Sequence, residues 1–384
     1  MLETPDLGVA RQKVAVLANT TWYLYNFRLN LMRALQATGY DVVAIGPTDA
    51  YVNKLVSAGI RHRPIPLVGD SVNPLRELVT VWALLRLLRS ERVDVVLSYT
   101  PKGNIYSALA ASVLGIPTIP NVSGLGRAFV RQGLLTWLVR KLYRYAFARA
   151  PRVFFQNRED LEMFIREELV RRDRADRLPG SGVDVERFKP PSDPPDWEQE
   201  RVVFLLVGRM LWDKGVGDFV EAARIVKLSH PKAEFRLLGF VDVGNPAAIS
   251  RGQMAQWEAE GVVRYLGSSD DVVPLMCTAD CVVLPSYYRE GVPRSLLEAA
   301  SLAIPVITTD TPGCRDVVEN GITGLLCRPQ DPADLADKMR QVLDMHPKQR
   351  REMGRRAREK ILREFDERIV IDRYLEVISQ LKAG

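Results

Sequence analysis

Short apolar runs alternate along this chain with longer stretches in which apolar residues return every three or four positions. Residues 14–18, 42–45, 93–98 and 118–122 are such runs. Apolar runs without polar alternation mark strands buried on both faces. Residues 29–38, 75–90 and 105–114 carry helical periodicity between them. Strand–helix alternation of this kind predicts a parallel, doubly wound α/β sheet. Residues 189–196 hold four prolines, Pro190, Pro191, Pro194 and Pro195, and continue neither element. They predict a linker. A second series follows, with strands expected at 202–207, 235–238, 262–266, 281–284 and 306–308. Asp331 is placed to cap one helix and Pro347 to open another. Residues 366–381 form a helical stripe through Ile369, Val370, Tyr374, Val377, Ile378 and Leu381. The pattern therefore predicts two Rossmann-like domains, 1–189 and 190–365, and a terminal helix, 366–384.

Composition fits this picture. The chain has 384 residues, 47% hydrophobic and 26% charged, which suffices for a core in each domain. Cys277, Cys281, Cys314 and Cys327 form no Cys-x-x-Cys pair and read as small buried thiols in a reducing compartment. The polar start, with Pro5, has no basic segment followed by an apolar one, so no secretory leader is expected. No stretch has the length and apolarity of a membrane span; Arg86 and Arg89 interrupt the most apolar helix. A cytoplasmic location is expected.

Charge adds one feature. The net charge of +6 comes from residues 1–200, with 27 Lys and Arg against 21 Asp and Glu, while residues 201–384 balance at 26 each. Residues 101–150 hold seven basic residues and no acidic one, a patch that attracts an anionic surface.

Ligands of doubly wound sheets bind beyond the carboxyl ends of the strands, so the residues after each strand are the candidates. After 202–207 comes Gly208-Arg209-Met210-Leu211-Trp212-Asp213-Lys214-Gly215. Gly208 permits a sharp turn. Arg209 and Lys214 set two cations beside a helix start, which suits a diphosphate, although a solvated surface loop would contain the same residues. After 281–284 the chain reads Pro285-Ser286-Tyr287-Tyr288-Arg289-Glu290-Gly291-Val292-Pro293-Arg294-Ser295-Leu296-Leu297-Glu298. Pro293 suits a first helical turn. Glu290 then lies before the helix and Glu298 on its second turn, and Gly291 and Val292 can offer N–H groups to a phosphate. Taken singly, each glutamate also reads as a solvated charge.

Together these residues resemble the Glu-x7-Glu signature of the retaining glycosyltransferases of family four. Gly208-Arg209 with Lys214-Gly215 is similar to that family's phosphate-binding loop. Gly182-Val183-Asp184 with Phe188 and Pro190 resembles its turn before the linker, and Gly321, Gly324, Leu325, Leu326 and Pro329 resemble a further motif. The likeness runs over nearly the whole chain, with its motifs in order. It implies the GT-B fold: two Rossmann-like domains facing a central cleft, with the C-terminal helix returning to the first. It implies that Glu298 accepts the ribose hydroxyls of a nucleotide sugar and that Glu290 lies by the donor sugar. Arg209 and Lys214 would neutralise the leaving diphosphate. In same-face transfer the departing phosphate oxygen takes the acceptor's proton, so no enzyme base is required. His62, His230 and His346 lie in no motif. No metal and no cofactor are expected; Asp270-Asp271 reads as a helix cap rather than an ion site.

The first domain is expected to hold the acceptor. Lys102 and Asn104 follow one buried strand, and Ser123 and Gly124 follow the next; Asn19-Thr20-Thr21-Trp22-Tyr23 follows the first strand, with Arg28 in the helix beyond. These loops resemble a bacterial subgroup that extends glycans on polyprenyl diphosphate, including N-acetylgalactosaminyl transfer from a UDP-sugar. Residues 127–149 interleave Phe129, Trp137, Tyr143, Tyr145 and Phe147 with Arg and Lys. Such a helix either lies on an anionic membrane or packs in a core with a solvated basic face. Membrane attachment would make the protein peripheral on the inner face of the plasma membrane. The alternatives are a soluble transferase acting on a small acceptor and a nucleotide-binding module without catalysis. A dinucleotide oxidoreductase lacks its Gly-x-Gly-x-x-Gly after the first strand, and no nucleic-acid recognition module is visible.

Overall fold

The computed structural model describes residues 11–68, 73–124, 134–191 and 201–383. The chain forms two compact units, Met1–Leu178 with Ile371–Gly384, and Pro179–Val370.

The first unit runs β1 (Lys13–Leu17), α1 (Thr21–Ala37), β2 (Asp41–Gly46), α2 (Val52–Ser57), β3 (Arg61–Pro64), α3 (Pro74–Glu91), β4 (Val95–Tyr99), α4 (Pro101–Leu114), β5 (Thr118–Val122), α5 (Leu134–Ala148), β6 (Val153–Phe155), α6 (Arg158–Arg166) and β7 (Ala175–Arg177). All strands pair parallel in the order β3-β2-β1-β4-β5-β6-β7. The expected strands are present because their side chains fill cores on both faces of the sheet. On one face Leu17, Ile45 and Val96 pack with Leu84 and Leu88 of α3, and Val122 and Phe155 pack with Tyr143 and Phe147 of α5; on the other face Val16, Ala44, Leu97 and Phe154 are fully buried. Two helices begin earlier than their periodicity suggests. Thr20 caps α1, its Oγ1 accepting from Tyr23 N at 3.1 Å, so the aromatic run that reads as a loop is helical. Pro101 opens α4 directly after Thr100, which sits at φ 68°.

The second unit runs β8 (Val203–Val207), α7 (Val216–Lys227), β9 (Glu234–Leu238), α8 (Arg251–Ala259), β10 (Arg264–Tyr265), α9 (Val273–Met276), β11 (Cys281–Leu284), α10 (Arg294–Ser301), β12 (Val306–Thr309), α11 (Cys314–Val317), β13 (Gly324–Cys327), α12 (Pro332–Asp344), α13 (Pro347–Glu364) and the start of α14 (Glu367–Ala383). The order is β10-β9-β8-β11-β12-β13, again all parallel. Asp331 caps α12, accepting from Asp334 N at 3.0 Å. His346 caps α13 in a reciprocal arrangement with Gln349. At α9 the capping position is Val272; Asp271 only accepts from Val273 N at 3.4 Å.

The units divide at Leu178 and Val370, whereas the sequence pattern puts the boundaries at 189 and 365. The segment before the prolines belongs to the second unit because it is bonded there. Val183 N donates to Phe365 O at 2.9 Å, Glu367 N to Val183 O at 3.1 Å, and Ser301 Oγ to Phe188 O at 2.6 Å. Residues 192–196 of the expected linker lie outside the described residues. Helix α14 starts in the second unit and ends in the first. There Tyr374 is fully buried; its Oη accepts from Asn121 Nδ2 at 3.0 Å and its ring meets Phe154 edge-on at 4.9 Å. Arg373 holds Asp176 through Nε and Nη2 at 2.8 and 2.6 Å.

Candidate active site

In the second sheet the strand order reverses between β8 and β11. The loops that leave these two neighbours at their carboxyl ends lead to helices on opposite faces, α7 and α10, and a doubly wound sheet takes its ligand at such a point. These are the loops that carry Gly208 to Gly215 and Pro285 to Gly291. Lys214 Nζ donates to Glu290 Oε1, joining residues 76 apart in sequence. Both side chains are largely buried, 15% and 14% exposed. Ser286 is fully buried, and its one hydroxyl hydrogen is shared between Glu290 Oε1 at 3.0 Å and Asp213 O at 3.2 Å. The backbone N–H groups of Tyr287 and Tyr288 also reach Asp213 O, at 3.2 Å. Ser286 thus ties the two loops at the point where their charged residues meet. Arg209 is exposed and makes no hydrogen bond or ion pair to a described residue.

Glycines set the spacing of these loops. Gly215 has φ 73°, and a Cβ there would lie 2.0 Å from Pro285 O. Gly313, after β12, has φ 80°, and a Cβ would lie 1.6 Å from Gly291 O. A side chain at either position would drive the loops apart. Beyond them, Gly239 lies against the backbone of Gly208, Gly180 lies against buried Val292, and Cys314 is close enough to Glu290 for the carboxylate's charge to add to burial in pushing its thiol pKa up.

Glu298 stands on α10. Burial pushes its carboxyl pKa above the ordinary range, and the charges of Arg294 and Arg187 pull it back. Arg294 Nε donates to Glu298 Oε1 at 3.0 Å, one helical turn away. The arrangement offers an exposed Arg209, a Lys214 held by Glu290, backbone turns and a nearly buried Glu298 on one set of strand ends, chemistry suited to an elongated anionic ligand.

The residues expected in the first unit are placed differently from one another. Lys102 donates to Glu77 Oε1 at 2.8 Å and to Val68 O at 2.7 Å, and Tyr106 Oη donates to Glu77 Oε2 at 2.6 Å. Lys102 is therefore engaged within its own unit. Asn104 is buried and donates to Asn121 O at 2.9 Å. Ser123 is half-buried and Gly124 is buried at φ 113°. Sequence reasoning passed over Ser286 and Arg294, although Arg294 lies at helical i, i+4 spacing before Glu298. It also passed over the environment of Arg28. That guanidinium is buried over the Tyr99 ring at 4.0 Å and donates to Tyr23 Oη at 2.9 Å.

The expected membrane helix is split. Tyr143 and Phe147 of α5 pack against Phe164 in the core, with centroids at 5.4 and 6.0 Å, so they cannot reach a bilayer. Arg140 donates to Glu167 Oε1 at 3.1 Å, and Arg144 pairs with Glu168 at 3.6 Å. Trp137, Leu138 and Tyr145 remain exposed. Residues 127–133, with Phe129, lie outside the described residues.

Two parallel, doubly wound units with a charged switch point in the second are the architecture of a GT-B glycosyltransferase. Residues 26–181 match the family described as "Glycosyl transferase 4-like domain" and residues 191–360 that described as "Glycosyl transferases group 1". The chain belongs to these glycosyltransferases. It is 29% identical to the N,N'-diacetylbacillosaminyl-diphospho-undecaprenol alpha-1,3-N-acetylgalactosaminyltransferase of Campylobacter jejuni, over 96% of this chain and 99% of that protein. It is 25% identical to the UDP-Gal:alpha-D-GlcNAc-diphosphoundecaprenol alpha-1,3-galactosyltransferase of Escherichia coli, over 84% of this chain and 83% of that one. Among solved structures it shares its fold with Anabaena Alr3699/HepE in complex with UDP and glucose, at TM-score 0.79 and 18% identity over 96% of this chain and all of that chain.

Proposed function

We propose that this glycosyltransferase moves N-acetylgalactosamine, or a related hexose, from a UDP-sugar to a sugar carried on a polyprenyl diphosphate, in bacterial glycan or polysaccharide assembly. The names of the Campylobacter and Escherichia relatives support the acceptor class, and the Escherichia relative's name supports UDP as the carrier. The contact of Lys214 with Glu290 at the switch point carries the reading of the donor site. Arg209 and Lys214 neutralise the departing diphosphate, Glu298 accepts the ribose hydroxyls, and Glu290 holds Lys214 beside the donor sugar. Gly208 gives the phosphates room, and Gly291 and Val292 offer backbone N–H groups. The bond from the anomeric carbon to the phosphate oxygen breaks, and the new bond forms on the same face. Because the acceptor attacks from the face the phosphate leaves, configuration is retained, and the acceptor's proton passes to the departing phosphate oxygen. The two cations do the work that a metal does elsewhere. The acceptor side of the first unit is formed by Lys102 and Asn104 at the start of α4 and by Ser123 and Gly124 after β5. The protein works as a peripheral enzyme on the inner face of the plasma membrane; no helix among the described residues is long and apolar enough to cross one.

The test is a panel of UDP- and GDP-sugars with a synthetic polyprenyl-diphosphate-linked sugar in detergent. Turnover is expected with a UDP-sugar, the anomer matching the donor. Lys214→Ala should lower turnover about a hundredfold or more while nucleotide binding changes less. No transfer from any donor, or near-normal turnover in Lys214→Ala, overturns the reading.

A further inference from the structure

Helix α3 has two unlike faces. Thr80, Leu84 and Leu88 are buried against the sheet and α4. On the other side Leu75, Leu78, Val79 and Trp82 are between 57% and 73% exposed. Their spacing of three, four and seven residues makes one continuous apolar stripe. Scattered exposed apolar residues need no explanation, but a stripe on one helix marks a contact surface. The remaining charges on the helix decide the partner. Arg76, Arg86 and Arg89 are exposed, while the two acids are turned in: Glu77 is engaged by Lys102 and Tyr106, and Glu91 by Arg63 at 2.5 Å and Lys13 at 3.3 Å. The Arg86 guanidinium lies 4.6 Å over the Trp82 ring. On α5, which also packs on α4, Lys141 lies 5.7 Å over exposed Trp137, the same spacing of Trp and a cation four residues on. An indole covered by a long basic side chain suits the boundary between acyl chains and anionic headgroups, where the stem stays apolar and the head stays wet.

We infer that α3 is the apolar anchor by which the first unit seats on an anionic bilayer, with Leu75, Leu78, Val79 and Trp82 entering the acyl boundary and Arg76, Arg86 and Arg89 meeting the headgroups. The exposed side of α5, through Trp137 and Lys141, adds the flank. This inference rests on the lipid-linked acceptor proposed above, which places the enzyme's substrate in such a surface.

The experiment uses the full chain with vesicles of phosphatidylglycerol and phosphatidylcholine, some carrying brominated acyl chains. Wild type should sediment with anionic vesicles at low salt. Leu78→Ser/Trp82→Ser should bind about a hundredfold more weakly, since each exposed apolar side chain that enters the boundary is worth about a factor of ten. Bromine quenching of tryptophan emission should fall in Trp82→Phe. Transfer in detergent should be unchanged in these variants, which also reports that they fold. Absence of wild-type binding overturns the inference, as does binding that neither variant alters. Self-association in sedimentation velocity that Leu78→Ser/Trp82→Ser abolishes, without vesicle binding, makes the occupant a second copy and overturns it too. The detergent assay separates the two proposals. Transfer to the lipid-linked sugar without vesicle binding sinks only the anchor, and vesicle binding without transfer sinks only the acceptor.

Discussion

Glu298 keeps its carboxylate under two opposed influences, burial raising its pKa and the charge of Arg294 lowering it. If the ionised form accepts ribose hydroxyls, nucleotide binding draws Glu298 towards ionisation. Affinity then rises with pH and is lost as pH falls through the raised pKa. Arg294→Met removes the downward pull, so that loss should begin at higher pH, and Arg294→Lys should lie between. The full loss should be about 1.5–3 kcal/mol, the worth of hydrogen bonds to a charged group. Calorimetry of UDP binding from acidic to neutral pH reads the midpoint; a midpoint that stays put in Arg294→Met removes Arg294 from this role. Arg294 was open to inspection in the sequence, one turn before Glu298. The meeting of Lys214 with Glu290 was not: it needs β8 and β11 side by side, an adjacency of strands that are not consecutive.

Elements were legible where burial is complete. The runs at 118–122 and 281–284 coincide with β5 and β11 because a central parallel strand is apolar on both faces. Helix α5 was less legible, since aromatic residues stand on both of its sides and periodicity does not say which side meets the core. Tyr143 and Phe147 went in; Trp137 and Tyr145 stayed out. The strand-end loops raise a different matter, because their spacing is set by glycines whose neighbours are distant in sequence. Gly313→Ala combines a left-handed φ with a Cβ 1.6 Å from Gly291 O. Gly321→Ala, at φ 78°, meets nothing within 4 Å. The second should cost about 1–2 kcal/mol of backbone strain. The first should cost more, by about 1–3 kcal/mol of overpacking, and should displace the loop of Glu290. Denaturant unfolding checks the stabilities, and turnover should fall in Gly313→Ala while Gly321→Ala retains it. Equal costs would mean that the loops give way freely.

At the scale of the whole molecule the polypeptide passes twice between the units, at Leu178 and at Val370. The excess positive charge of residues 1–200 belongs mainly to the first unit, and so do α3 and α5. Tyr374 is the largest side chain that the returning helix buries there. Tyr374→Ala should destabilise the first unit by about 3–5 kcal/mol, as expected for a large aromatic removed from a core. Hydrogen exchange should show faster opening of β5 and β6 with β8 and β11 unchanged; uniform acceleration in both units would contradict this. The second unit is one unbroken stretch, while the first is closed only by residues that come after it. On a ribosome, residues 179–370 form a contiguous unit as they emerge, whereas the sheet made first lacks part of its core until α14 arrives, the amide of Asn121 being without the tyrosine that stands 253 positions downstream. We expect the usual rule that amino-terminal domains finish first to be inverted in this chain: a nascent chain that has emerged from the ribosome through Val370, but not yet through Ile371–Gly384, should display a finished second unit beside a first unit still open to proteases.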